Sequence, residues 1–508
     1  MTSAATTETY PITGIPTNAR PQIDPVPLRP EINAWVSNPA NADQVALFVL
    51  ALDKFQKLDY EDKLSYFKVC GIHGLPRAPW DQPPNVDGGY YCAHGSILFP
   101  TWHRPYLLLF EQRIYEIMIN DIIPLAKPQD QPRLLDLAKS WRFPYWDWAV
   151  VNVDVPDIVR RPFLPEVISK SLAGVFGVNV QKDPETGAIQ PNNPLYSFRT
   201  PEPMGKYGIP VDNSQPYDIA KSTSRYPPRY KQGDQSAETQ WTNGVQNNDD
   251  VTKALRVQQD DDSPNHPSAL GGSVYRLLTP GQYKYYGDFA TVTYNPPSGS
   301  SSAKADAGAP GERENLKANF RPPSSHTSLE SVHNTAHHSI GGDFTLPGFG
   351  TGHMADQSIA AFDPIFWLHH CHIDRLLAIW QTLNPDLWLL DADVERSARG
   401  KMSEKALSPF HADKKRTSYT SNKVREWTQF GYTYPELQYW LPQYRDGNGK
   451  FSQEKYVADV SRQVKALYAP TTGTSTGYDY VVNVEYDRYV PRIPSRTDAD
   501  VLLIKDSH

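Results

Sequence analysis

Residues 362–380 read FDPIFWLHHCHIDRLLAIW, and residues 327–342 read TSLESVHNTAHHSIGG. In the first stretch, Asp363-Pro364 has the form of an N-cap followed by a first-turn proline, which predicts a helix through Trp380. In the second, Thr327-Ser-Leu-Glu330 has capping-box spacing and Gly341-Gly342 supplies a stop, so a helix is expected between them. His333 and His337 are four residues apart and leave the same face of that helix. His370 follows after 33 residues near the opening of the other helix, where it can meet them across a helix–helix contact. These stretches imply a mainly helical fold with a central helix bundle that gathers imidazoles in its core, wrapped by long loops and a few short strands.

A second, looser group lies nearer the front: His73 at the end of a helix expected over Tyr60 to Cys70, His94 on an extended segment, and His103 at the start of a helix expected over Pro105 to Leu125. Any single buried histidine is ordinarily a hydrogen-bonded core residue. Two groups of three change the balance, because three neutral imidazoles leave open positions on a first-row metal. No carboxylate stands at ligand spacing in either group. That argues against a two-histidine-one-carboxylate iron site, against calcium or magnesium, and against a dinuclear zinc hydrolase with bridging carboxylates. A copper pair held entirely by histidine fits the pattern.

The 508 residues carry a formal charge of −7 without long runs of one sign, which gives no case for nucleic acid as a partner. No stretch approaches about 18 unbroken apolar residues, so no membrane span is expected. The 46 prolines are about twice the usual share of roughly 5%, consistent with extended loops. Three cysteines, Cys70, Cys92 and Cys371, make no disulfide framework. The N-terminal MTSAATTETYPITGIP lacks the basic and apolar regions of a signal peptide, so an intracellular location is expected. A loop-rich surface insertion is expected over about 182–323, with linker-like composition at NPPSGSSSAKADAGAPGERE, and VVNVEYDRYV alternates like a strand. The expectation is one catalytic domain over 1–508.

GIHG at 71–74, CAHGSILFPTWHRPYLLLFEQ at 92–112, SVHNTAHHSIGG at 331–342 and the 362–380 stretch resemble the copper-site signatures of tyrosinases and polyphenol oxidases, closest to the fungal type. PYWDWA at 144–149, NPLY at 193–196, GHM at 352–354 and YDRY at 486–489 extend the resemblance across most of the chain. It implies two copper ions in a dinuclear type-3 site, the first held by His73, His94 and His103, the second by His333, His337 and His370. His369, His338 and His372 are not ligands in this reading. The resemblance further implies a thioether bond between Cys92 and His94, and a water held by Glu330 and Asn334 that takes the proton of an incoming phenol. Phe366 and Gln357 would line the substrate site, and Phe99 and Asp374 would brace or orient ligands, Asp374 with a partner such as Arg104. Gln357 departs from the family, which places a small apolar residue there, over the second copper. No C-terminal plug domain is expected.

The implied activity is hydroxylation of monophenols to o-diphenols and oxidation of o-diphenols to o-quinones by dioxygen, as in melanin biosynthesis. A catechol oxidase without the hydroxylase activity and a dioxygen carrier with the same copper pair are the alternatives. Phenol and dioxygen are the expected partners, and self-association is left open.

Overall fold

The structure is a computed structural model that describes residues 8–81, 91–150, 152–178, 181–182, 189–190, 193–212, 214–256, 270–293, 327–389 and 402–469. The strand expected at 481–490, the YDRY tetrapeptide and the linker-like 295–314 lie outside these residues.

Six helices frame the site: α1 (Ala42–Gln56), α2 (Tyr66–Gly71), α3 (Phe99–Ile117), α4 (Leu329–Gly341), α5 (Ile365–Leu383) and α6 (Gln453–Tyr468). Every residue of α5 is buried. A helix with no exposed face is a core element, and α5 packs against α3, α4 and α6. Phe110 of α3 stacks on Trp367 of α5 with ring centroids 3.7 Å apart. Burial forces the charges of α5 to be paired: Asp374 accepts from Arg104 (2.6 Å) and Arg29 (3.1 Å), and Arg375 donates to Glu436 and Asp147. The one sheet among the described residues is a two-stranded pairing of Gln181–Lys182 with Ile189–Gln190. No helix among them is long and apolar enough to cross a membrane.

Several local expectations change. The helix expected from Tyr60 begins at Tyr66, capped by Ser65. The side chains of Asp59 and Asp62 accept from the amides of Glu61 and Leu64, and such turns compete with helix. Helix α3 starts earlier than expected, at Phe99, tolerates Pro105 in its interior, and passes into a π turn over Met118–Ile122. The capping box of α4 is built one residue later, from Ser328 and Ser331, so Glu330 is released from a capping role. The stretch expected to be a surface insertion contributes to the core: Trp241, Val274 and Phe289 are fully buried, and Arg225 pairs with Asp363 at the head of α5.

Candidate metal centre

The histidines gather as two groups of ligand atoms, each within 4.8 Å of one another: His73, Cys92, His94 and His103, and His333, His337, His369 and His370. The groups face each other. The rings of His103 and His370 stack with centroids 4.5 Å apart, and His94 and His333 approach to 5.5 Å.

Tautomers follow from the hydrogen bonds. A backbone carbonyl can only accept, so a ring nitrogen beside one must carry the proton. Nδ1 of His73 donates to Gln357 O (2.9 Å), Nδ1 of His103 to Phe99 O (2.8 Å), and Nδ1 of His337 to Met354 O (2.6 Å). Nδ1 of His333 lies 2.8 Å from Asn334 Oδ1. In each ring the lone pair is then on Nε2, directed inward. Nε2 of His370 is 3.3 Å from that of His333 and 3.4 Å from that of His337. Lone pairs facing at such distances repel unless a cation lies between them. Metal–imidazole bonds of about 2.0–2.1 Å at a tetrahedral angle separate ligand atoms by about 3.3 Å, so this set fits a first-row metal. Nε2 of His73 is buried with no hydrogen-bond partner among the described residues. Burial pushes His73, His103 and His337 down to about 3, which keeps them neutral and competent to coordinate.

Two glycines seat the loop that serves both groups. A Cβ on Gly74 would stand 2.3 Å from Ser358 O, and one on Gly341 would stand 2.2 Å from Ala355 N. Their absence lets residues 352–358 lie against both groups, so that Met354 reaches His337 and Gln357 reaches His73.

His369 is fully buried, and neither of its nitrogens has a hydrogen-bond partner among the described residues. Its ring centroid lies 4.6 Å from that of His337 and 5.1 Å from that of His333, but the Nε2 contacts at 3.3–3.4 Å are made by His370. His338 is exposed and pairs with Asp343, while His372 is buried against Trp148. Phe99 lies 4.8 Å from His103 and 4.7 Å from His333, between the groups. Phe366 is fully buried beneath the rings, 4.1 Å from His370 and 4.9 Å from His73. Asp374 pairs with Arg104, and it also accepts from Tyr432 and Tyr434. Burial alone would raise its carboxyl, but Arg104 and Arg29 hold it below the ordinary range.

Three site residues differ from expectation. Gln357 was expected over the second copper, but its carbonyl holds His73 and its amide meets Nδ1 of His94 at 2.5 Å, both in the first group. The loop crosses from one group to the other, and Gln357 lies beyond the crossing. The chain is not extended through His94; it turns at His94–Gly95, with Gly95 at φ +63°. Cys92 Sγ therefore lies 3.3 Å from Nε2 of His103 while remaining in the cluster with His94. Glu330 binds three donors: Gly95 N (2.6 Å), Thr291 Oγ1 (2.5 Å) and Val292 N (3.1 Å). Burial raises its pKa, against those bonds. The backbone carbonyls, Gly95 and Thr291 were not anticipated. Only the His103–Phe99 contact had a signal, the i to i−4 spacing on a helix.

His94, Asn334 and Gln357 are half-buried, whereas His73, His103, His333, His337 and His370 are buried, which puts the solvent-facing rim on the His94 side.

Residues 63–383 match the family model described as the common central domain of tyrosinase. The chain is 33% identical to a tyrosinase of Aspergillus fumigatus, over 94% of this chain and 74% of that protein. It is 32% identical to a tyrosinase of Neurospora crassa, over 94% of this chain and 60% of that protein. A solved copper-bound active tyrosinase variant of Aspergillus oryzae superposes with a TM-score of 0.68 at 30% identity, covering 91% of this chain and 99% of that one. With its two histidine groups suited to a dinuclear copper site, this chain belongs to the tyrosinase family of copper oxidases.

Proposed function

We propose that this chain hydroxylates monophenols to o-diphenols and oxidises o-diphenols to o-quinones with dioxygen. His73, His94 and His103 hold one copper, and His333, His337 and His370 hold the other. The observation that carries this reading is the pair of facing imidazole triads, with His103 of one stacked on His370 of the other. A copper pair held there would pass electrons from the phenol to dioxygen.

The chain's own residues do the rest. The phenol enters at the half-buried rim beside His94, Asn334 and Gln357. Phe99 and Phe366 fix the rings from the buried side and keep water out. A carboxylate offers about four acceptor sites. Three donors reach Glu330, so one site is left for the water that, with Asn334, takes the phenol proton. A thioether between Cys92 and His94 would clamp that ring; it would show as a loss of two hydrogen masses in the peptide containing both.

The test is oxygen uptake by copper-loaded protein, first with a monophenol and then with the matching o-diphenol, with His333→Ala as control. Each monophenol taken to a quinone consumes one dioxygen, and two o-diphenols consume one. Uptake in those proportions, lost in the control, supports the reading. Uptake with the o-diphenol alone would replace it with a catechol oxidase, and no uptake with two coppers bound would favour a carrier.

A further inference from the structure

Five imidazoles have a hydrogen-bond partner at Nδ1 in the two groups, and four of those partners are oxygens: Gln357 O for His73, Phe99 O for His103, Met354 O for His337 and Asn334 Oδ1 for His333. The fifth is His94, whose Nδ1 stands 2.5 Å from Nε2 of the Gln357 side-chain amide. In that orientation the amide N–H would donate to Nδ1, and a neutral His94 would carry its proton on Nε2, where a metal must bind. The oxygen and nitrogen of a glutamine amide are interchanged by a half-turn and are assigned from the hydrogen-bond network. Copper ligation through Nε2 of His94 decides the orientation here. The reversed amide puts Oε1 on Nδ1–H and frees Nε2 of His94, and it turns the amide nitrogen elsewhere at a half-buried position.

We propose that Gln357 is a positioning residue for the first copper site, its side-chain oxygen fixing the tautomer and ring angle of His94. The backbone carbonyl of the same residue fixes His73. One residue of the 352–358 loop thus orients two of the three imidazoles in that group. His94 has the most need of such a partner. His103 is set in a helix, whereas His94 stands in a turn and is half-buried. A thioether at the ring carbon would fix where the ring lies and leave its tautomer open; an acceptor at Nδ1 fixes the tautomer. The inference rests on His94 being a copper ligand.

The experiment compares copper-loaded wild type with Gln357→Met, which keeps the length and removes the acceptor, and with Gln357→Glu, which can only accept. Copper is reduced with ascorbate and its transfer to a Cu(I) chelator is followed by absorbance, alongside thermal melting of the metal-free proteins. Loss of an outer hydrogen-bond partner ordinarily weakens metal affinity roughly 10- to 100-fold. In Gln357→Met, one copper of the two is expected to transfer more readily by that factor while the other keeps its wild-type behaviour. Gln357→Glu should restore the first copper to within a few-fold of wild type, with all three metal-free melting temperatures alike. Unchanged transfer in Gln357→Met, equal weakness in both variants, or tighter binding in Gln357→Met would each overturn the proposal, the last by showing that the amide nitrogen faces His94. Wild type that cannot hold two coppers would instead overturn the ligand assignment on which it rests.

Discussion

Glu330→Gln separates two roles for one carboxylate. Oε1 accepts from Gly95 N, and Oε2 accepts from Thr291 Oγ1 and Val292 N. The two backbone donors lie on different oxygens, so a glutamine in either orientation sets its NH2 group against one of them. A hydrogen bond to a charged group contributes about 1.5–3 kcal/mol, and a buried donor left unmade costs about 1–3 kcal/mol. Gly95 is exposed, so water can take its N–H if the amide turns that way, and Glu330 no longer carries a buried charge. The net loss should sit at the low end, about 2 kcal/mol. It falls on the contact that ties the His94 turn to α4. With roughly tenfold in affinity for each 1.4 kcal/mol, first-site copper affinity should drop by up to roughly 30-fold, and the Gly95 amide should exchange faster with solvent. Both are measured on the same variant, by chelator competition and by hydrogen–deuterium exchange mass spectrometry. A Glu330→Gln protein that keeps its copper affinity and its Gly95 protection while losing only monophenol hydroxylation would refute the clasp and leave Glu330 with the water alone.

Other perturbations have equally definite outcomes. Gly74→Ala puts a Cβ against the backbone of Ser358, which cannot yield as a side-chain tip can, so the melting temperature of the metal-free protein should fall by the equivalent of about 1–3 kcal/mol. Copper content should fall with it, since the displaced loop carries the carbonyl that holds His73. Burial pushes the Glu31 carboxyl up to about 7 from an unfolded value of 4.5. Between those values the folded state keeps a proton that the unfolded state has lost, so this group's contribution to stability declines as pH rises through the window, by about 3 kcal/mol in all. Glu31→Gln can still accept from Ala34 N, and it should remove that slope in urea melts from pH 4.5 to 7. His369→Leu should retain both coppers and His370→Leu should lose one, by metal analysis, because only His370 places Nε2 at 3.3–3.4 Å from its neighbours.

The helices that carry the histidines were legible because their signals are local. The i,i+4 pair His333/His337, the Gly341-Gly342 stop and the Asp363-Pro364 opening each fix a helix face or end within a few residues. What the sequence could not show was who holds each ring. The carbonyls of Met354 and Gln357 come from a loop whose path depends on glycines at 74 and 341, and nothing in the string says that residues so far apart in the chain touch. Glu330 illustrates the same limit. Spacing assigned it to a capping box with Thr327, but two serines one step on make the box and free it to bind residues 95, 291 and 292. The 182–323 stretch misled through composition: its polar, proline-rich average conceals Trp241, Val274 and Phe289, which enter the core through tertiary packing that short-range patterning does not encode.

The central claim is that two histidine triads hold a copper pair, and metal analysis with electron paramagnetic resonance of the oxidised, copper-loaded protein tests it most directly. The account requires two coppers per chain coupled into a pair without a resonance signal, and one uncoupled copper with a signal in His333→Ala. A single copper in the wild type, or two that give independent signals, would contradict it.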